Sequence, residues 1–308
     1  MENALSVLQV ILPILVCIGL GVLARKKELM TPEQNRGIQQ FVLKFCIPCV
    51  LFNSCLEAQI GPESITSMVM LLPVLLLSSL WAFRAGRKRY PYHNFPMLFA
   101  AHETGMLGLP LCMILFGAGE AYRMGILDMT QGLISIPVMV ILSADTGKNA
   151  SVAEILKKVL LSPMLIMSVL GFALGLSGAK NWLDSIGIGS LITGTTSFLA
   201  QPVSAAMLFS IGFNFNLRSG SRGKILRIAA LNAAFFAVAC LVMQGVLCLL
   251  PQVDAMTRWV VLLYCTLPAS YLAPSLSRTQ EENTIASGVC SVLTVLTWVS
   301  FCIIAILS

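Results

Sequence analysis

The sequence predicts an all-α integral membrane protein of ten transmembrane helices, arranged as two inverted five-helix repeats with broken crossover helices at spans four and nine. Three observations carry that expectation. The 308 residues are 57% hydrophobic and 11% charged, with a mean hydropathy of +0.85, which leaves too little polar surface to wrap a core in water. The apolar runs are about 20 residues long, the length a helix needs to cross hydrocarbon. Lipid supplies no hydrogen-bond partner for a bare backbone, so runs of this length are helices and not ten-residue barrel strands. Finally, prolines and glycines interrupt the runs at matching places in the two halves.

Apolar runs set against polar breaks place the spans at roughly 5–25, 35–55, 64–84, 94–117, 121–143, 159–179, 190–214, 225–250, 257–277 and 284–307. The first has no basic leader ahead of its apolar core and reads as a retained span, not a signal peptide. Its PILVCIGLGVL resembles PMLIMSVLGFAL of span six, with Gly21 and Gly171 at the same offset. Span two carries Pro48 in IPCVLF and span seven Pro202 in AQPVSAAMLF; span four carries Pro110 and span nine Pro268 in TLPASYLAP. The expected organisation is a first repeat over 1–143, a cytoplasmic linker over 144–158 and a second repeat over 159–308. Because five is odd, the second copy enters the membrane upside down, a signature of secondary transporters whose sites form near the midplane where broken helices cross. Gly171 and Gly175 form a GxxxG that reads as a helix contact.

Charge orients the spans. With the N-terminus outside, sixteen of the twenty lysines and arginines fall on the cytoplasmic side, in the clusters around Arg25, Arg87, Lys157, Arg222 and Arg278. Only Arg123, Lys180 and Arg258 face the other way, and Lys44 lies inside span two. This asymmetry predicts a multi-pass protein of the cell membrane with both termini extracytoplasmic. The net charge of +6 is thereby topological, and no nucleic-acid partner is expected. The ten cysteines lie almost all within apolar runs and read as packing residues, the CIPC of Cys46 and Cys49 included.

In span four the stretch HETGMLGLPL, from His102 to Leu111, packs Glu103, Thr104, Gly105, Gly108 and Pro110 into an apolar run. Proline costs a helix interior about 3 kcal/mol and glycine about 1, so the span is expected to break near its centre. Such a break frees backbone groups and exposes two opposed helix ends, one suited to an anion and one to a cation. In span nine, Thr266, Ser270, Tyr271 and Ser275 flank Pro268 and Pro274, giving hydroxyls beside a second break; Thr266 and Ser275 read as back-bonded to their own helix. The intramembrane ionisable residues are Lys44, His102, Glu103 and Asp128, each costly enough in hydrocarbon to face the bundle interior. Glu103 is the candidate proton carrier, and Lys44 either pairs with Glu103 or Asp128 or holds a substrate carboxylate. Asp128 sits about two turns into its span, where a solvated mouth is the alternative. The chain has no HExxH and no GxSxG, and only His93 and His102 as histidines, so neither an enzyme nor a metal site nor an organic cofactor is expected.

These residues resemble the auxin efflux carrier family, including its bacterial organic-anion permeases, over nearly the whole chain. The resemblance rests on PILVCIGLGVLARKKELMT, IPCVLFNS, GMLGLPLCMILFG, LLSPMLIMSVLGFALGLSG, QPVSAAMLFSIGFNF and ASGVCSVLTVLTWVSF. It implies a scaffold part of spans one, two, six and seven, and a transport part whose crossover helices are spans four and nine. Pro110 and Pro268 would mark the crossovers, with Gly105 and Gly108 beside the first. It also implies a lysine and a glutamine near the crossing, matched by Lys44 and Gln131. The expected activity is secondary transport of a small organic anion, coupled to protons or sodium, by an elevator-like alternation, in lipid and as a homodimer. A sodium-coupled symporter of the bile-acid carrier design is the alternative within transport, and a non-transporting receptor or scaffold the alternative outside it. Family members often have an asparagine where Glu103 stands, and span three here lacks an acidic residue.

Overall fold

Nearly every apolar run becomes a helix, because in lipid a backbone must bond to itself. A computed structural model describes residues 2–58, 61–144, 157, 160–214 and 222–307. In chain order its helices are α1 (Glu2–Lys26), α2 (Pro32–Phe41), α3 (Ile47–Glu57), α4 (Pro62–Trp81), α5 (Arg87–Arg89), α6 (Met97–Ala100), α7 (Leu109–Phe116) and α8 (Ala121–Ala144). There follow α9 (Pro163–Leu176), α10 (Ala179–Ser185), α11 (Ile188–Ala200), α12 (Val203–Asn214), α13 (Arg222–Leu249), α14 (Ala255–Thr266) and α15 (Gln280–Leu307). Among the described residues six helices are long and apolar enough to cross a membrane. A seventh joins them if α9 and α10, bent by 81°, form one span. Spans four and nine are absent from that group, each ending in short pieces, and α1 is not in it either, so the ten expected spans are not all matched by such helices among the described residues. The 144–158 linker falls almost entirely outside the described residues.

Local chemistry sets the ends and interruptions. Span two starts at Pro32, earlier than expected, because Thr31 and Gln34 form a reciprocal capping box. It is interrupted by a π-helical turn over Val42–Cys46 directly before Pro48, and span seven by a turn at Gln201 and Pro202. All ten cysteines are free, and Cys46 and Cys49 are buried.

The chain divides into two compact units, and neither is one half of the sequence. The first comprises Met1–Ile60, Gly105–Gly125 and Lys158–Phe215; the second comprises Gly61–Thr104, Ile126–Lys157 and Asn216–Ser308. The first therefore collects spans one, two, six and seven together with the second half of span four and the start of span five, so it differs from the scaffold that the resemblance implies by those residues.

Within the first unit, glycines let helix backbones touch. A Cβ at Gly21 of α1 would lie 2.0 Å from the Phe209 carbonyl oxygen of α12, and one at Gly212 of α12 would lie 2.1 Å from that of Ile18. A Cβ at Gly171 of α9 would lie 2.5 Å from the Phe52 carbonyl oxygen of α3, and one at Gly175 would lie 2.5 Å from that of Leu56. The GxxxG is thus a packing device. Span one packs on span seven just as span six packs on span two, each through the glycine that matches at the common offset. Side chains add to these contacts: Asn35 Nδ2 of span two donates to Asn214 Oδ1 of span seven at 3.2 Å, and the Arg25 guanidinium of span one lies 5.2 Å from the centre of the Phe213 ring of span seven.

In the second unit, α13 packs on α15, with Gly288 seated on Ile225, and Trp81, Phe95 and Phe99 form an aromatic cluster between α4 and the start of span four.

A side chain at a backbone contact overpacks it, at a cost of about 1–3 kcal/mol. Gly212→Val is expected to lower the unfolding midpoint in detergent, read by scanning fluorimetry. Gly19→Ala, with nothing within 4 Å of the added carbon, is expected to leave the midpoint unchanged or slightly raised.

Candidate functional site

The second unit is organised around two interruptions that meet. After α6 the chain turns extended at Ala101 (φ −157°, ψ 151°) and becomes helical again only from Thr104, through a π-helical turn over Thr104–Gly108 that leads into α7. In span nine α14 ends at Thr266, Leu267 is extended (φ −66°, ψ 150°), and a short 3-10 turn resumes at Ala273. Pro268 explains the second break, since it lacks an N–H and biases the residue before it away from helix. The extended pieces pair antiparallel, His102 opposite Ala269. Glu103 N–H donates to the Pro268 carbonyl at 2.9 Å, and Ser270 N–H donates to the Ala101 carbonyl at 3.0 Å.

That pairing uses donors that a continuous helix would have spent internally. The Leu98, Phe99 and Thr266 carbonyls would have accepted from residues 102, 103 and 270, whose N–H groups now point elsewhere. Side chains on surrounding helices replace them. Asn232 of α13 donates to the Leu98 carbonyl at 2.8 Å, Ser78 of α4 to that of Phe99 at 2.7 Å, and Thr297 of α15 to that of Thr266 at 2.5 Å. Gln131 of α8 donates to the His102 carbonyl at 3.1 Å and accepts His102 N–H at 2.9 Å. All four side chains are buried.

Three polar groups then converge on the crossing. The Gln131 amide also accepts the Tyr264 hydroxyl at 2.7 Å and donates to Thr104 Oγ1 at 3.0 Å and Asp128 Oδ1 at 2.8 Å, joining spans four, five and nine. The Thr104 hydroxyl donates to the same Asp128 oxygen. Glu103 reaches across to the other break, where its Oε2 accepts Tyr271 N–H at 2.8 Å, while the Tyr271 hydroxyl bonds Thr294 Oγ1 at 2.9 Å. The His102 ring is wedged between those of Phe236 and Tyr264, at centroid distances of 4.2 and 4.8 Å, and neither of its nitrogens has a partner among the described residues. The result is a buried polar knot of one amide, two carboxyls and several hydroxyls, with a helix ending at Thr266 and another beginning at Thr104. Such ends attract ions of opposite sign.

Comparison with known proteins bears on the class of the chain. A sequence model of the family described as membrane transport protein matches residues 6–155. This is the auxin efflux carrier family of the resemblance. A protein of Methanothermobacter thermautotrophicus named an uncharacterized transporter is 25% identical over 219 residues, covering 68% of each chain. Both comparisons support a membrane transporter.

Of the residues that the family pattern and the sequence singled out, the second unit brings together Glu103, Thr104, Asp128, Gln131, Pro268, Ser270 and Tyr271. Asp128 is half-buried and bonded to its neighbours, not at an open mouth. Lys44, Gly105, Gly108 and Pro110 belong to the first unit. Lys44 lies in the π-helical turn of span two, exposed, with no ion pair among the described residues. One expectation needs correction. The break in span four falls at Ala101–Glu103, upstream of Gly105, Gly108 and Pro110, and the residue opposite Pro268 is Glu103. Proline is tolerated in the first turn of a helix, where its N–H would have had no partner, and Pro110 sits there, at the start of α7. Thr266 and Ser275 bond back to the Leu263 and Leu272 carbonyls, as expected. Tyr264, Ser78, Asn232 and Thr297 were not singled out in the sequence. For Asn232 a signal existed, a lone amide in the apolar run RIAALNAAFFAV.

Leaving a buried polar group unpaired costs about 1–3 kcal/mol. Gln131→Leu, which strands His102 N–H and the Tyr264 hydroxyl, is expected to lower the unfolding midpoint. Glu103→Gln retains an oxygen for Tyr271 N–H and should unfold near wild type, whereas Glu103→Ala should lose about 1–3 kcal/mol. Scanning fluorimetry and denaturant titration in detergent check both.

Proposed function

We propose that this protein is a secondary carrier that moves a small organic anion across the cell membrane by alternating access, elevator-like, with the crossing of spans four and nine as its site. One observation carries the reading: two interrupted helices pair through their extended segments at Ala101–Glu103 and Pro268–Ser270, deep in a helical unit. A stable scaffold has no need of two mutually dependent breaks at a cost of several kcal/mol, whereas a carrier uses the helix ends they create to hold ions. The family match and the similar transporter support the same class.

The finer reading is ten crossings in two inverted repeats, with both termini extracytoplasmic. The exchange of partners between repeats supports it, since Gly21 packs on span seven and Gly171 on span two. So does the excess of basic residues on one side. In this scheme the amide end of the helix beginning at Thr104 draws the anionic group of the cargo, Ser270 and Tyr271 supply polar contacts, and Glu103 and Asp128 carry the coupling proton or bind sodium.

The test is a ligand-stabilisation screen of purified protein with organic acids, at two pH values and with or without sodium, followed by transport in proteoliposomes with proton and sodium gradients imposed separately. An acid that raises the unfolding midpoint of wild type, but not of Glu103→Gln, is expected. Movement of that acid should follow one gradient and lose it in Glu103→Gln. Transport that Glu103→Gln and Pro268→Ala leave unaltered, or a failure of every organic acid to bind, would remove the crossing as the anion site.

A further inference from the structure

A second polar site lies away from the crossing, in the same unit. It is a cleft of about 590 Å³ lined by Arg89, Tyr90, Pro91, Tyr92, Lys224, Arg227, Thr279, Glu281 and Glu282. Three helix ends contribute: the C-terminal end of the span Pro62–Arg89, the first turns of α13, and the N-terminus of α15. The cleft therefore sits where apolar helices leave the membrane, and its two tyrosines are of the residue type enriched at that level.

Its charges are unequally committed. Both oxygens of Glu282 are used by backbone donors, His93 N–H at 2.8 Å and Arg278 N–H at 2.7 Å. Glu281 pairs with Lys224 at 3.0 Å, and the Lys224 ammonium also lies 6.0 Å from the centre of the Tyr92 ring. Arg89 and Arg227 are exposed and have no ion pair among the described residues. Two guanidiniums, whose forked donors match phosphate oxygens, thus line a concave surface with an ammonium and a tyrosine pair beside them.

We propose that this cleft binds a phosphate-bearing anion through Arg89 and Arg227, with Lys224 exchanging Glu281 for the ligand. Basic pockets between transmembrane helices take acidic lipid headgroups, and a soluble phosphate ester presents the same chemistry. The floor of the cleft gives occupancy a reach beyond the surface. Glu282 ties His93, which leads into the broken span four, to Arg278, which follows the broken span nine, and Asn94 bonds the Ala273 carbonyl at 3.0 Å. An anion seated here stabilises the same segments that hold the crossing.

The test uses the full-length protein in a neutral detergent. Unfolding midpoints are measured against short-chain phosphatidic acid and phosphatidylglycerol, with phosphatidylcholine as the uncharged-headgroup control, and separately against inorganic phosphate and ATP. The acidic lipids, the soluble anions or both should raise the midpoint of wild type, and which arm responds names the source. In Arg89→Gln/Arg227→Gln the apparent affinity should fall about tenfold or more, as two surface cations are lost. Arg84→Gln, a nearby basic residue outside the cleft, should retain wild-type affinity, and Arg89→Lys/Arg227→Lys should retain part of it. Protection that survives in the glutamine double variant, equal protection by phosphatidylcholine, or no protection in any arm overturns the proposal. Because the glutamine variants change exposed residues, an unaltered midpoint without ligand verifies that they fold.

Discussion

A broken helix in hydrocarbon must find partners for its freed amides and carbonyls, and in this protein that requirement organises the second unit. Each unpaired group costs several kcal/mol in lipid, so neither interruption could stand alone. They meet each other's needs in part, through the Glu103 to Pro268 and Ser270 to Ala101 bonds. What the pairing leaves over is met by one polar side chain from each of α4, α8, α13 and α15. The four helices are thereby pinned around the crossing by chemistry, where apolar packing alone leaves rotation and register loosely determined in lipid. The first unit solves a different problem. It holds its helices together through glycines that bring backbone against backbone, with cross-helix side-chain bonds such as Asn35 to Asn214 and Thr196 to Asn53 beside them.

That division explains which features could be read in the sequence. Span lengths and the all-helical class follow from hydrophobicity over windows of about 20 residues, a property of the whole segment. The break at Pro268 was legible because the residue itself forbids the helix. The break in span four was misplaced because Pro110 looks equally disruptive in a string, although in a first turn it disrupts nothing. The extended residues Ala101–Glu103 carry no helix-breaking chemistry of their own, and their conformation is imposed by the partner strand. Tertiary pairing overrides local propensity there, and no local reading finds it.

The polar residues divide the same way. Thr266 and Ser275 were read as back-bonded, and they are. Ser78 and Thr297 look identical in the sequence and do bond back, to the Leu75 and Leu293 carbonyls, but each hydroxyl also reaches a freed carbonyl on another helix. A hydroxyl in an apolar run thus has two possible readings that only the neighbouring helix separates. Gln131 was found through the family resemblance alone. Its bonding through both oxygen and nitrogen is the reason an amide suits that position: a group that both donates and accepts can bridge His102 N–H, the His102 carbonyl and Tyr264 at once.

Glu103 gives the crossing its electrostatic logic. Its carboxyl accepts Tyr271 N–H, one of the backbone donors that a break makes available and that an anionic cargo would seek. A bound anion and an ionised Glu103 are therefore competitors for the same donors, and two like charges 4 Å apart repel by about 4 kcal/mol at an effective dielectric constant of 20. Under the proposed function this repulsion must be relieved at each cycle, by a proton on Glu103 or by a cation accompanying the cargo. An asparagine at this position, the amide common in the family, would impose no such condition. Under the proposed function the carboxyl thus converts a binding site that takes an anion into one that takes an anion together with a positive charge, the requirement for coupling one flux to another.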